Sequence, residues 1–224
     1  KPDPMEFDTP MWNGEPMQIG NIPDIYPGPA DTFQSYDLPW ANASNTPFRL
    51  HKRWVHEGGI STPAIISWPD QIKSAKLVTE PSHIVDIAAT IYDVSGTEYP
   101  EEVGGRVVNH LEGHSFQPAI TNEAWERPTP IFWEHEGNRA VRNGDWKLVS
   151  EGNTIWELYN MKVDRTELND LSAERPDLVS KMIEMYEEWA ERVGALPWPV
   201  IPKVTASPRI GTKHIHDIDY RRVF

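Results

Sequence analysis

Five side chains able to carry positive charge crowd into eight residues: Arg49, His51, Lys52, Arg53 and His56. Gly58-Gly59 follows at once. Elsewhere the chain is strongly acidic, with 21 Lys and Arg against 34 Asp and Glu and a net charge of −13. The cluster therefore makes a local positive potential that the average hides. Glycines let a backbone approach a ligand closely and adopt positive φ. Cations beside a Gly-Gly turn have the chemistry of a small-oxyanion site. The competing reading is a solvated face whose cations pair with the surplus carboxylates, and residue types alone leave both open.

Other constellations carry weaker signals. Glu134-His135-Glu136, with Asn138 and Arg139, has metal-ligating types but poor geometry. On a strand, successive side chains point to opposite faces, so both glutamates would share one face and His135 the other. Its alternatives are a half-exposed edge strand, or His135 and Arg139 reaching over a pocket to read a leaving group. His110 and His114 would face together only on a helix, which Gly113 disfavours. His214 and His216 in the tail are more readily solvated than ligating. Trp12, Trp40, Trp54 and Trp198 have the type of sugar-stacking platforms, although buried Trp usually serves the core.

The elements that must position these groups follow from pattern. Residues 1–47 hold nine prolines, eight of them from Pro2 to Pro39, so mostly helix or central strand is excluded. They also hold Met5, Phe7, Met11, Trp12, Ile25, Tyr26, Phe33, Tyr36 and Trp40, too much apolar surface for a solvated linker. The expectation is an irregular segment packed over something else. Residues 62–68 (TPAIISW) read as a buried strand. Residues 81–95 place Ile84, Ile87, Ala88, Ile91 and Val94 on one helical face, stopped by Gly96. Strand candidates at 131–136, 139–142, 146–150 and 156–159 are separated by Gly137-Asn138, Asn143-Gly144 and Gly152-Asn153, which predicts a four-stranded antiparallel meander. Leu178, Met182, Met185 or Tyr186, Trp189 and Val193 recur at helical spacing over 176–193, from Pro176 to Gly194, as a helix covering one face of that meander.

Length, 224 residues, allows one domain or one and an appendix. The acidic balance argues against a surface that tracks nucleic acid phosphates. Zero Cys removes disulfides, thiolate metal sites and Cys nucleophiles. No apolar run approaches the ~18 residues of a membrane span. KPDPMEFDTP at the N-terminus has the look of neither a signal peptide nor a natural start, and the expectation is a fragment or processed product.

The segment K-x-x-x-x-E-G-G-x-x-x-P at 52–63, followed by AIISWP, resembles the C-terminal half of formylglycine-dependent sulfatases. Further segments match in the family's order: SHIVDIAATIYDVSG (82–96), LEGHSFQPAI (111–120), FWEHEGNRAVRNGDWKLV (132–149) and WELYNMKVDRTELNDLSAERPD (156–177). The resemblance covers roughly residues 28–198. It implies an α/β fold of the alkaline-phosphatase type, ending in a small four-stranded antiparallel sheet packed by one C-terminal helix. It implies hydrolysis of aryl or carbohydrate sulfate esters with a formylglycine nucleophile and Ca²⁺. It makes Lys52 the sulfate-contacting, catalytic lysine, a compact point charge with three donors that suits a tetrahedral anion. His56 is a second substrate-binding candidate or a residue that orients the loop through backbone. Many relatives carry Arg where Ser61 stands.

The family's nucleophile pentapeptide C/S-x-P-x-R does not occur in this sequence; 44–49 (SNTPFR) is one residue too long. Formylglycine and the calcium-binding aspartates are therefore expected in an N-terminal half of the same enzyme. The isolated chain is expected to be inactive and to present an apolar surface to that half. The expected division is 1–128 for the end of the large domain with the Lys52 loop, 129–198 for the sheet-plus-helix subdomain and 199–224 for a tail. The resemblance implies a periplasmic or secreted enzyme. Alternatives are a phosphodiesterase or phosphonate hydrolase of the same superfamily, or a Trp-rich carbohydrate-binding module with an exposed Trp row on the small sheet.

Overall fold

Alternating apolar residues between glycine turns build the central feature of the chain. The computed structural model describes residues 11–198 apart from residues 122 and 153. In it the elements run β1 (Gln18–Ile19), β2 (Thr32–Phe33), α1 (Leu38–Asn45), α2 (Glu57–Ile60), α3 (Ile84–Ser95), β3 (Glu102–Val103), β4 (Arg106–Val107), α4 (Gln117–Ile120), β5 (Ile131–His135), β6 (Asn138–Asn143), β7 (Trp146–Ser150), β8 (Glu157–Asn160) and α5 (Pro176–Val193). Strands β5 to β8 form an antiparallel sheet in sequence order.

The first hairpin turns one residue earlier than the sequence predicts. Its loop is Glu136-Gly137, both at positive φ (52° and 84°), which a two-residue type I′ turn requires. Gly144-Asp145 joins β6 to β7, one residue later than the expected Asn143-Gly144, with positive φ at Gly144 (56°).

The sheet has two buried faces. On one, Val141, Leu148 and Leu158 pack against Met182 and Tyr186 of α5. Phe132 stacks on Trp189 at 5.2 Å between centroids. Helix α5 ends at Gly194, whose φ of 71° is the left-handed stop a glycine supplies. Of its predicted apolar face, Val193 lies outside the contact and is exposed. On the other face, Ala140, Val149 and Tyr159 pack against Val55 from the basic segment. The sheet is thus the plate to which that segment is fastened.

Helix α3 forms where expected, but its burial is the reverse of its pattern. Ile84, Ile87, Ile91 and Val94 are exposed, whereas Asp86, Ala89 and Thr90 are buried. Asp86 explains this. Its carboxylate accepts from the backbone N–H of His83 (2.7 Å) and of His114 (2.8 Å) and pairs with Arg127. The polar side of α3 therefore holds the 113–127 loop, and the apolar side has no cover among the described residues.

Two further expectations are corrected. Residues 62–68 are neither strand nor buried: Ile65 is 97% exposed, and no described strand lies alongside to complete a ladder. The described aromatic residues of the N-terminal segment do not pack down, and Met5 and Phe7 lie outside the described residues. Trp12, Tyr26, Tyr36 and Trp40 are exposed, and α1, which the proline-rich pattern did not predict, is capped by the Asp37 carboxylate accepting from the Leu38 N–H (2.8 Å).

Candidate functional site: the Lys52 loop

Residues 49–60 form a loop folded back on itself. The turn of α2 lies so close beneath 49–54 that only glycine fits. A Cβ on Gly58 would come within 2.2 Å of the Leu50 carbonyl oxygen, and one on Gly59 within 1.9 Å of the Trp54 carbonyl oxygen. Both glycines thus serve close backbone packing within the loop, with φ in the ordinary range. Lys52 is exposed and lines an open pocket of about 580 Å³, together with Asp37, Asn45, His51, Gly58 and Gly59. Its ammonium has no ion pair or hydrogen bond among the described residues. His51 stands beside it, its ring edge-on to Trp54 at 4.6 Å.

The other cations of the cluster are committed. Arg49 donates to the Tyr159 hydroxyl (3.2 Å) and to the Glu167 carbonyl oxygen (3.0 Å), and approaches Glu157 at 3.8 Å. Arg53 pairs with Glu136 of the β5–β6 turn at 3.3 Å. His56 is 1% exposed, with Nε2 3.3 Å from Glu157. Burial holds its pKa below the usual imidazole value, helped by Lys147 and Arg49 and opposed by Glu167 and Glu157. The solvated-face reading is therefore right for Arg49 and Arg53 in that they pair with carboxylates, while Lys52 is left over, facing the pocket.

Beneath the loop lies a charge cluster that spacing in the sequence does not reveal. Lys147 is fully buried and contacts Glu57 at 3.0 Å and Glu167 at 2.7 Å. Glu167 also accepts the Glu57 backbone N–H at 2.8 Å. Arg165 approaches Glu57 at 3.7 Å and the Ser61 hydroxyl at 3.4 Å, so a guanidinium reaches the neighbourhood of Ser61 from a distant part of the chain. The available signal was the period-two pattern of β7, which puts a lysine in a position whose neighbour Val149 is core.

The remaining candidates separate. His135 is exposed at the end of β5 and does not line the Lys52 pocket. Arg139 projects from the α5 side of the sheet, opposite the loop, with its guanidinium 4.4 Å from the Trp156 ring and 3.2 Å from the Ser150 hydroxyl. Glu134 accepts the Gly137 N–H and Glu136 pairs with Arg53, so the two do not act on one ion. His110 contacts Glu112 at 3.1 Å, while His114 meets the Thr129 hydroxyl at 2.8 Å. His214 and His216 lie outside the described residues. Among the described residues no group of three or more His, Asp or Glu is placed to hold a metal ion. Trp133, Trp146 and Trp156 of the sheet are partly buried against its two clusters, which removes the exposed Trp row of a carbohydrate-binding module.

The family described as N-sulphoglucosamine sulphohydrolase, C-terminal, matches residues 48–192, which span the loop, the sheet and nearly all of α5. The chain belongs to this family. An uncharacterized sulfatase from Schizosaccharomyces pombe is 32% identical over 182 residues, covering 77% of this chain and 32% of the relative. An N-acetylglucosamine-6-O-sulfatase from Bacteroides thetaiotaomicron is 30% identical over 156 residues, covering 61% of this chain and 26% of the relative. The crystal structure of Ps i-CgsB superposes with a TM-score of 0.56 at 27% identity, over 65% of this chain and 32% of that one. The chain thus spans about a third or less of the length of these proteins. It has the architecture of the C-terminal part of a sulfatase, an α/β chain finished by a four-stranded antiparallel sheet and one helix. Among the described residues no helix is long and apolar enough to cross a membrane.

Proposed function

We propose that this chain is the C-terminal portion of an enzyme that hydrolyses sulfate esters of aryl or carbohydrate alcohols, and that Lys52 binds the sulfate. The observation that carries the reading is the Lys52 ammonium: exposed to a pocket, without a partner among the described residues, on a loop anchored by buried charge. Hydrolysis turns R–O–SO₃⁻ and water into R–OH, sulfate and a proton. Charge on the sulfate oxygens and the leaving oxygen changes along the path, and a fixed ammonium lowers the energy of the more charged state. Lys52 supplies that charge and up to three N–H donors. His56, sealed under the loop, orients it, and His135 at the sheet's end is the remaining candidate for contact with the alcohol part. Arg139 packs its guanidinium against Trp156 beside β8 and Tyr186 of α5, which gives it a structural role.

The same proposal places formylglycine and calcium in an N-terminal portion that packs on the uncovered apolar surface. Ile65 and the Ile84, Ile87 and Ile91 face of α3 are exposed apolar surface of the kind such a portion would cover. The division at 128/129 and 198/199 belongs to this reading, as does a periplasmic or secreted location, which rests on the resemblance. The test is sulfate release from an aryl sulfate and from N-acetylglucosamine 6-sulfate by the complete gene product, wild type and Lys52→Ala. Turnover lost in the variant supports the proposal. Equal turnover in both, preference for a phosphonate ester, or activity of the 224 residues alone overturns it.

A further inference from the structure

The loop that carries Lys52 is held at both ends by one residue. At its start, Arg49 donates to the Glu167 carbonyl oxygen at 3.0 Å. At its end, the Glu57 backbone N–H donates to the Glu167 carboxylate at 2.8 Å. Glu167 is completely buried and sits at positive φ (57°), uncommon for a residue other than glycine, in the connection between β8 and α5. Lys147 of β7 pins the same carboxylate at 2.7 Å and reaches the Glu57 side chain at 3.0 Å. More than a hundred residues of chain separate Glu167 from either loop end.

We propose that Glu167, backed by Lys147, is a positioning residue that sets where Lys52 stands, and that the small sheet serves as a clamp for the anion-binding loop. This rests on the reading of Lys52 given above. The geometry leaves little freedom for another arrangement. The backbones of 49–54 and of α2 are already in contact, so moving either loop end displaces the other. An ammonium between two carboxylates in a water-excluded site is weak as a source of stability, because desolvating three charges offsets their attraction. It still fixes position, because the two Glu167 oxygens are held separately: Oε2 accepts the Glu57 N–H and Oε1 faces the Lys147 ammonium.

Backbone amide exchange on the intact 224-residue chain tests the clamp. In Glu167→Gln the Glu57 N–H keeps an acceptor but loses its charge, so exchange at Glu57, Gly58 and Gly59 is expected to speed by about 10- to 100-fold, the weight of one charge-assisted hydrogen bond. Ladder amides of β6 and β7 in the same sample should change several-fold less. Should the Gln variant fail to accumulate, Glu167→Asp, which keeps the charge but withdraws it by one methylene, should give the same loop-to-ladder contrast. Equal acceleration in loop and ladder makes Glu167 a general stabiliser and overturns the proposal, as does an unchanged loop. In the complete enzyme, assayed well below the variant's own melting temperature, Glu167→Gln should lower kcat/KM for a sulfate ester. Exchange localised to the loop in an enzyme without sulfatase activity would uphold the clamp and count against the sulfate-ester reading alone.

Discussion

Replacing Gly59 by alanine probes the loop most directly. The added methyl would lie 1.9 Å from the Trp54 carbonyl oxygen and 2.8 Å from that of His51, and Cβ atoms essentially never come closer than 3.0 Å. The turn of α2 must therefore retreat from 49–54 by about 1 Å, against a neighbour that is backbone and cannot rotate away. Relief in that direction pulls Glu57 off Glu167 and Lys147, because the α2 turn carries the N–H and carboxylate that they bind. Overpacking of this kind costs about 1–3 kcal/mol, and the rigid contacts place Gly59→Ala at the upper end. At about 2–4 °C per kcal/mol for a chain of this size, the melting temperature should fall by about 6–12 °C. The assay is thermal unfolding followed by far-UV circular dichroism, with exchange at the Glu57 amide as a local reporter. A variant that melts within about 1 °C of wild type with Glu57 still protected would refute the close packing on which the site depends.

Other perturbations separate site from scaffold. Lys52→Ala removes an exposed side chain with no partner among the described residues, so stability should stay within about 0.5 kcal/mol by chemical denaturation while sulfate-ester turnover by the complete enzyme is lost. Leu158→Ala empties a fully buried position between the sheet and α5 and should cost about 2–5 kcal/mol in the same denaturation assay. His56 should make the fold sensitive to acid. Its folded pKa lies below its unfolded value of about 6.5, so the unfolded chain binds more protons between the two. Stability is therefore fully present above pH 6.5 and declines as pH falls toward the folded pKa, with Glu157, Glu167, Lys147 and Arg49 as the charges facing the ring. In His56→Gln, melting temperatures between pH 7 and 5 should lose that part of their pH dependence, and an unchanged profile would refute the assignment.

Features that depend on neighbouring residues are legible in the sequence itself. Gly96 and Gly194 stop their helices at left-handed φ, as their positions after an apolar period required. Glycine turns and alternation placed β5 to β8, with slips of one residue at Glu136-Gly137 and Gly144-Asp145, because in both turns each asparagine pairs in its strand and the acidic residue beside the glycine completes the turn. In each case the controlling interactions span only a few residues, so composition and spacing carry the information. Lys52 differs: type and spacing leave it one cation among several near Gly58-Gly59, and the resemblance of 52–63 to sulfatases is what singles it out.

Partnership across the chain had to be decided in three dimensions. Nothing in the pattern of 62–68 says that no described strand lies beside it, and nothing in the pattern of α3 says that Asp86, not its isoleucines, faces inward. Arg139 looked like a pocket residue until the sheet's pleat turned it toward α5. Lys147, Glu57 and Glu167 are ordinary charged residues in sequence and become one cluster only when β7, the loop and the β8–α5 connection meet. A charge in water gains little from a particular neighbour; the same charge stripped of water must find one. Burial decides which side chains face that requirement, and burial is a property of the folded chain.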